Sequence, residues 1–236
     1  MIRFYAPDIE QTRTLPESDS GHCTRVLRMG EGDRIEVVDG RGHVYECIIA
    51  AAHHKHTAVE IDAVRDLPKV WLGSITIAVA PTKNTDRMEW LVEKLVEVGV
   101  DRIVPLRCRR SERKSINVER LGKIAVSAMK QSLKAVLPVI DPLTPLDDFV
   151  GSRPGLQNFI AYCAPSIPRR LLAREYRPAL DTAVLIGPEG DFDPDEIRSA
   201  LDLGWRPVTL GDNRLRTETA ALVACDTCHI INQLHQ

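Results

Sequence analysis

Long apolar runs are missing from this chain of 236 residues. No stretch approaches the roughly 20 apolar residues that a membrane-spanning helix needs, so no membrane partner is expected. The opening residues, Met1-Ile-Arg-Phe-Tyr-Ala-Pro-Asp8, lack the apolar core of a secretory signal, and the expected location is the cytoplasm. Cysteine is sparse, six in all, and in that compartment the thiols are expected to be reduced. Cys23, Cys47, Cys108 and Cys163 stand alone. Cys225-Asp-Thr-Cys228-His229 has the spacing of a c-type haem attachment. That chemistry belongs to exported proteins, and the motif lies in a helical run, Thr217 to Leu234, with Leu222, Val223, Ile230 and Ile231 at apolar positions. Small buried thiols explain it better. Internal repeats and low-complexity segments are also lacking. The remainder, 44% apolar and 27% charged, is ordinary for a globular protein and long enough for one large domain or two small ones.

Net charge is small as well, −2, which alone argues against a nucleic-acid partner. Its distribution argues the other way. Between Arg102 and Lys134 stand ten basic residues: Arg102, Arg107, Arg109, Arg110, Arg113, Lys114, Arg120, Lys123, Lys130 and Lys134. Glu112 and Glu119 are the only acids there. Such a one-sided run repels itself unless an anion faces it, so contact with phosphate or RNA is expected.

Two patterns succeed one another along the chain. Up to about residue 70, short alternating segments predominate. Asp33–Val38 and His43–Ile49 flank the turn Asp39-Gly-Arg-Gly42, a hairpin signal. Thr57–Asp62 reads as another strand, and a short helix is predicted near Asp19 to Arg28. Short strands with tight turns suggest a small barrel. Asp66-Leu-Pro-Lys69 reads as a linker. Beyond it, Ser74–Ala80, Arg102–Leu106, Phe159–Cys163 and Thr182–Ile186 are apolar strand candidates, and Met88–Val98 and a segment from about Asn117 to Leu133 are predicted helices. This alternation predicts an α/β fold with a mainly parallel sheet. The division expected is 1–72 and 73–236.

Two metal readings fail on geometry. His53-His-Lys-His56 cannot easily converge on one ion in a strand, where neighbours point to opposite faces. Asp191-Phe-Asp-Pro-Asp-Glu196 lacks the glycine and terminal glutamate of a calcium loop. It reads instead as a helix start, with Asp193 as N-cap, Pro194 in first position and Glu196 completing a capping box. No metal is expected.

Two glycine-bearing turns remain. Ile186-Gly-Pro-Glu-Gly190 follows an apolar strand, and about twenty residues later Leu210-Gly211 follows another, leading into Arg214-Leu-Arg-Thr-Glu-Thr-Ala220. Neither has the three-glycine spacing of a dinucleotide fingerprint. Together they form a surface rich in backbone donors and acceptors that suits a polar small molecule with an adenosine-like part.

Taken together, these residues resemble the bacterial RsmE-type uridine-N3 methyltransferases of small-subunit (16S) ribosomal RNA, of the SPOUT class. The resemblance covers nearly the whole chain. It rests on His22, Val26-Leu-Arg28, Gly32-Asp33 and Asp39-Gly40, then Lys83, Glu93-Lys94, Glu97-Val-Gly-Val100, Pro105, Arg110-Ser111 and Gln131-Ser132. Its most specific parts are Ile186-Gly-Pro-Glu-Gly190 and Leu215-Arg-Thr-Glu-Thr-Ala220. Two departures stand out. The family usually repeats glycine where this chain has Asp191, and it carries a basic–apolar pair where this chain has Asn213-Arg214.

The resemblance implies an N-terminal PUA-like β-barrel that helps to hold RNA and a C-terminal SPOUT domain with a trefoil knot, working as a homodimer. S-adenosylmethionine would lie against Ile186, Gly187, Pro188, Glu189 and Gly190 and against Leu210, Gly211, Leu215, Arg216, Thr217, Thr219 and Ala220. Arg25, Arg28, Lys83, Arg109, Arg110, Lys130 and Gln131 are the expected RNA contacts, and 16S ribosomal RNA or the small subunit is the partner. Methylating N3 requires loss of its proton and stabilisation of charge on the flanking carbonyl oxygens. Arg216 suits the second task, and Glu218 and Glu189 are the carboxylates available for the first. Another SPOUT target, such as a ribose 2'-hydroxyl, and a non-catalytic RNA-binding module are the competing readings.

Overall fold

The computed structural model describes residues 2–152, 154–163 and 168–235. They fall into two compact units, Met1–Val70 with Val126–Leu137, and Trp71–Ala125 with Pro138–Gln236.

The first unit contains β1 (Arg3–Tyr5), α1 (Ile9–Thr12), α2 (Glu17–Gly21), β2 (Arg34–Val38), β3 (His43–Ala51) and β4 (Ala58–Asp66). α2 runs on as a π-turn over His22–Val26, which covers the predicted helical stretch except Leu27 and Arg28, where φ at Arg28 turns positive, +56°. The strands form one sheet in the order β1-β2-β3-β4, with β1 parallel to β2 and the other pairs antiparallel. The β2–β3 hairpin is held by Asp39, whose Oδ1 accepts from Arg41 N at 2.8 Å and His43 N at 3.2 Å. Alternate residues, among them Ile35, Val37, Tyr45, Cys47 and Ile49, join Phe4 and Val59 in the core. Glu36 is buried in the same sheet. Burial pushes its carboxyl up, but hydrogen bonds from Arg3 and Arg65 outweigh that and hold it below the usual range.

The division expected at residue 72 places residues 126–137 with the C-terminal part, whereas they fold with the N-terminal one. Gly42 N donates to Ala135 O and Leu137 N to Gly40 O, both at 2.9 Å. Lys130 Nζ donates to Asp19 Oδ1 at 2.8 Å. Such pairing between distant segments leaves no periodicity in the sequence.

The second unit adds β5 (Ile75–Val79), α3 (Thr85–Val98), β6 (Arg102–Arg107), the start of α4 (Val118–Gln131), β7 (Val139–Ile140), β8 (Thr144–Pro145), α5 (Leu146–Ser152), β9 (Gln157–Ala161), β10 (Arg170–Leu171), α6 (Leu172–Glu175), β11 (Thr182–Ile186), α7 (Pro194–Asp202), β12 (Arg206–Thr209) and α8 (Thr217–Leu234). The strand order is β10-β12-β9-β11-β5-β6-β7, with β8 beside β6, and every pairing is parallel. β5 and β11 are buried along their whole length, as strands of a sheet covered on both faces must be. Phe149, Ile197, Ala200 and Trp205 cover one part of the core. α8 packs on β5, β11 and α3.

The Cys225–His229 motif is core structure. Cys225 Sγ donates to Gly99 O at 3.2 Å, and His229 Nε2 bonds the same carbonyl at 2.6 Å. The Nε2 must therefore carry the ring proton. Burial pushes the Cys228 thiol up to about 12 and the Cys225 thiol well above its ordinary value. His53-His-Lys-His56 is the turn between β3 and β4, where the His53 and His56 rings stack with centroids 3.9 Å apart.

Candidate functional site

Three strand ends meet at one cavity. Ala161, Ile186 and Thr209 close β9, β11 and β12, and all three line a cavity of about 1130 Å³. These strands are parallel neighbours in the order β12-β9-β11, so their C-terminal ends open to the same side. Open parallel sheets bind ligands there.

The loop after β11 forms one wall. Asp191 N donates to Pro188 O at 2.9 Å and closes the turn. Asp191 itself has φ +62°. Its Oδ2 accepts from Cys163 N and its Oδ1 from Phe192 N, each at 2.9 Å. The carboxylate thus ties the loop after β9 to the loop after β11. The loop after β12 forms the facing wall. Gly211 has φ +130°, and a Cβ there would meet nothing within 4 Å, so the chain turns with bare backbone at the cavity. The two glycine turns are joined at their base, where Thr217 Oγ1 donates to Gly187 O at 3.1 Å.

Charge of both signs faces the cavity: Arg87, Arg169, Arg214 and Arg216 with Glu189, Asp191 and Asp212. Glu189 Oε1 accepts from Lys83 N at 3.0 Å. Lys83 Nζ pairs with Glu112 at 2.9 Å, and the hydrogen bond from that pairing raises the ammonium above its ordinary value. Arg169 donates to Tyr162 O and lies over the Tyr162 ring, 5.5 Å from its centroid. Burial pushes the Tyr162 phenol up, against the pull of Arg169.

Of the twelve cofactor positions expected from sequence, the structure brings eleven to this cavity: Ile186, Gly187, Pro188, Glu189, Gly190, Leu210, Gly211, Leu215, Arg216, Thr217 and Ala220. Thr219 does not line it. Among the three candidate catalytic residues, Arg216 and Glu189 are on the wall, and Glu218 is set behind it, buried in the first turn of α8. The expected RNA contacts divide between the units. Arg25, Arg28, Lys130 and Gln131 belong to the first, and Lys83, Arg109 and Arg110 to the second. Several are already paired. Lys130 bonds Asp19, Arg109 bonds Asp193 and Asp195, and Arg110 reaches Gly190 O and Asp193. Arg25 and Arg28 are exposed.

Sequence reasoning missed Arg87, the Ala161–Cys163 strand end and Arg169. Phe159–Cys163 was legible as a strand, and the rule that ligands sit at parallel strand ends could have found its last residues. Arg87 carries no such signal, because only the packing of α3 on α8 brings it to the site.

The family described as RNA methyltransferase domain matches residues 71–229, and the family described as RNA methyltransferase PUA domain matches residues 15–62. Ribosomal RNA small subunit methyltransferase E of Synechocystis sp. is 31% identical over 92% of this chain and 72% of its own length. The crystal structure of a probable rRNA-methyltransferase from Porphyromonas gingivalis is 46% identical, covers 100% of both chains and superposes with a TM-score of 0.95. A Ribosomal RNA small subunit methyltransferase E from Neisseria gonorrhoeae, bound to S-adenosyl methionine, is 26% identical over 98% of both chains, with a TM-score of 0.86.

Proposed function

The chain belongs to the RNA methyltransferase family, and we propose that it methylates N3 of a specific uridine in 16S ribosomal RNA, with S-adenosylmethionine as donor. The observation that carries this reading is the cavity built from both glycine turns at the ends of β9, β11 and β12. Its residues fit such a donor. Ile186, Val208, Leu210, Leu215 and Ala220 offer apolar contact for a purine, and the bare backbone at Gly211 leaves room for a ribose. Small-molecule sites commonly span roughly 300–1,000 Å³, so a cavity of about 1130 Å³ has room for such a donor. The donor, when bound, supplies an electrophilic methyl group.

The protein's part is to align the base, take the N3 proton and stabilise charge on the neighbouring carbonyl oxygens. Arg216, at the N-cap of α8 and on the cavity wall, is suited to hold a carbonyl oxygen. Glu189 presents a carboxylate on the same wall, with Oε1 held by Lys83 N, which leaves Oε2 for the proton. N3 lies on the pairing edge, so the target base must be unpaired or turned out before it reacts.

The wider architecture is read in the same way. The N-terminal sheet is taken as part of a PUA-like barrel that helps to hold RNA. The last segment is taken as a trefoil knot: after β12, beyond β9 in the sheet, the chain returns past Gly187 to pack on β5 and β11. A homodimer working in the cytoplasm completes the proposal.

The test incubates the protein with labelled S-adenosylmethionine and either small subunits or naked ribosomal RNA, then separates the nucleosides by mass spectrometry. Label in 3-methyluridine is expected. Label in a 2'-O-methylated nucleoside would replace the N3 assignment, and absence of label with both substrates would sink the activity. Arg216→Ala is expected to lower kcat about 100-fold with little change in donor affinity.

A further inference from the structure

Arg87 is the third residue of α3, after the N-cap Asn84, whose side chain accepts from Asp86 N at 2.8 Å. It lines the cavity. Its Nε lies 3.7 Å from Glu218 Oε1, and among the described residues Arg87 makes no other ion pair. Glu218 is the second residue of α8, and its side chain is only 9% exposed. Its Oε2 is buried without a hydrogen-bond partner. The first turn of α8 and the Arg87 guanidinium both favour negative charge at this point. Glu218 does not line the cavity, so it is poorly placed to take a proton from a base held there. It is well placed to fix a cation that does reach the cavity.

We propose that Arg87 is a catalytic residue whose Nη groups donate to a carbonyl oxygen flanking N3 of the target uracil, and that Glu218 is its positioning residue. The inference rests on the activity proposed above. When N3 gives up its proton, negative charge spreads onto O2 and O4, the two carbonyl oxygens beside it. The N3 lone pair then forms the new bond to carbon, while the methyl–sulfur bond breaks with its electrons left on sulfur. Two carbonyl oxygens gain charge, and the cavity offers two guanidinium groups set at helix starts, Arg87 on α3 and Arg216 on α8. Groups on rigid elements hold reacting atoms better than groups on loops. Arg214, by contrast, stands in the loop before α8, and Arg169 already spends a donor on Tyr162 O. Glu218 acts through Arg87 alone: its charge, 3.7 Å from Nε, holds the guanidinium and leaves Nη1 and Nη2 to the substrate.

The experiment uses the full chain and starts from the unmodified protein, which must form 3-methyluridine; failure there removes the activity and not this assignment. Arg87→Ala, Arg87→Lys, Glu218→Gln and Arg87→Ala/Glu218→Gln are then compared in single turnover, with S-adenosylmethionine affinity by calorimetry and the rate followed across pH. Arg87→Ala is expected to lower the rate about 100-fold while donor affinity stays within about twofold. Its pH–rate curve should move upward by about one unit or more, because the uracil anion has lost a neighbouring cation. Arg87→Lys, which keeps the charge, should restore part of both effects and serves if the alanine variant fails to fold. Glu218→Gln should slow the reaction less and add nothing once Arg87 is gone. A pH–rate curve unmoved in Arg87→Ala and Arg87→Lys overturns the role of Arg87. A Glu218→Gln effect of equal size with and without Arg87 overturns the coupling.

Discussion

Asp191 shows how a single departure from a pattern is accommodated. The resemblance leads one to expect glycine there, and the φ of +62° at Asp191 is one that glycine adopts without strain. Aspartate enters this left-handed region more readily than most side chains, though less readily than glycine. Its carboxylate also takes two backbone amides, Cys163 N and Phe192 N, so it fastens two walls of the cavity where a glycine could not. Asp191→Gly should keep the turn and weaken S-adenosylmethionine binding by about tenfold, the lower end of the value of one lost hydrogen bond to a charged acceptor. Asp191→Ala loses the same bonds and keeps the strain, so it should be less stable than Asp191→Gly by about 1–2 kcal/mol in denaturant melts. Equal stability of the two would mean that the turn is not held left-handed. A second residue-scale effect concerns pH. Burial pushes Asp39 up, but the amides of Arg41 and His43 and the His43 ring more than offset this, and its carboxyl is held below the usual range. The stability it contributes is present above the unfolded carboxylate pKa of about 3.9 and is lost as pH falls through the lower folded value. His43 is raised by its bond to Asp39. Its contribution is complete below the unfolded histidine pKa of about 6.5 and fades as pH rises through the folded value. Asp39→Asn should therefore flatten both limbs of the stability–pH curve measured in urea. Limbs unchanged by the substitution would assign them to other groups.

Among the elements, α7 repays the closest comparison between sequence and structure. Asp193, Pro194 and Glu196 announced its start, and the capping box forms as read: Asp193 N donates to Glu196 Oε2 at 2.8 Å. What the sequence did not disclose is the other oxygen. Glu196 Oε1 accepts from Arg109 N at 2.7 Å, which fastens α7 to the chain leaving β6. Asp193→Ala should thus cost about 1 kcal/mol, as for an ordinary N-cap. Glu196→Ala orphans two backbone donors and should cost about 2–4 kcal/mol; equal losses in thermal melts would show that the second bond contributes nothing. α3 teaches the same lesson at its other end. Gly99 ends the helix as glycine commonly does, but the 2.8 Å that would separate a Cβ there from the Trp71 ring was not legible, because Trp71 lies 28 residues earlier. Periodicity exposed the long helices and the buried strands. It could not show β1, β7, β8 and β10, which are two or three residues long. The glycine turns of the site were legible because their chemistry is local to each turn. Arg87 and the Ala161–Cys163 edge were not, because they reach the cavity only through the packing of distant elements.

Charge belongs to the molecule as a whole, and there the count along the chain misleads. The segment from Arg102 to Lys134 is strongly basic when read alone, yet distant carboxylates neutralise much of it. Arg102 pairs with Asp141, Arg109 with Asp193 and Asp195, Arg110 with Asp193, Arg120 with Glu89, and Lys130 with Asp19. Lys123 pairs with Glu119 inside the segment, and Arg113 spends its donors on Thr82 O, Lys83 O and Thr85 Oγ1. The premise that the run repels itself without an outside anion therefore fails, although exposed Arg107 and Lys114 remain. RNA binding should reflect the cations without a carboxylate partner more than the total. Each phosphate neutralised adds about 0.7–0.9 to the slope of log affinity against log salt. Replacing exposed Arg25 and Arg28 together by glutamine should lower that slope by about 1.5 and leave thermal stability nearly unchanged. Replacing Arg109 and Lys130 should lower the melting temperature and change the slope by less than about 0.5, because their charges are already compensated within the fold. The reverse outcome, a large slope change from Arg109 and Lys130 with little from Arg25 and Arg28, would mean that these ion pairs open to receive the RNA backbone.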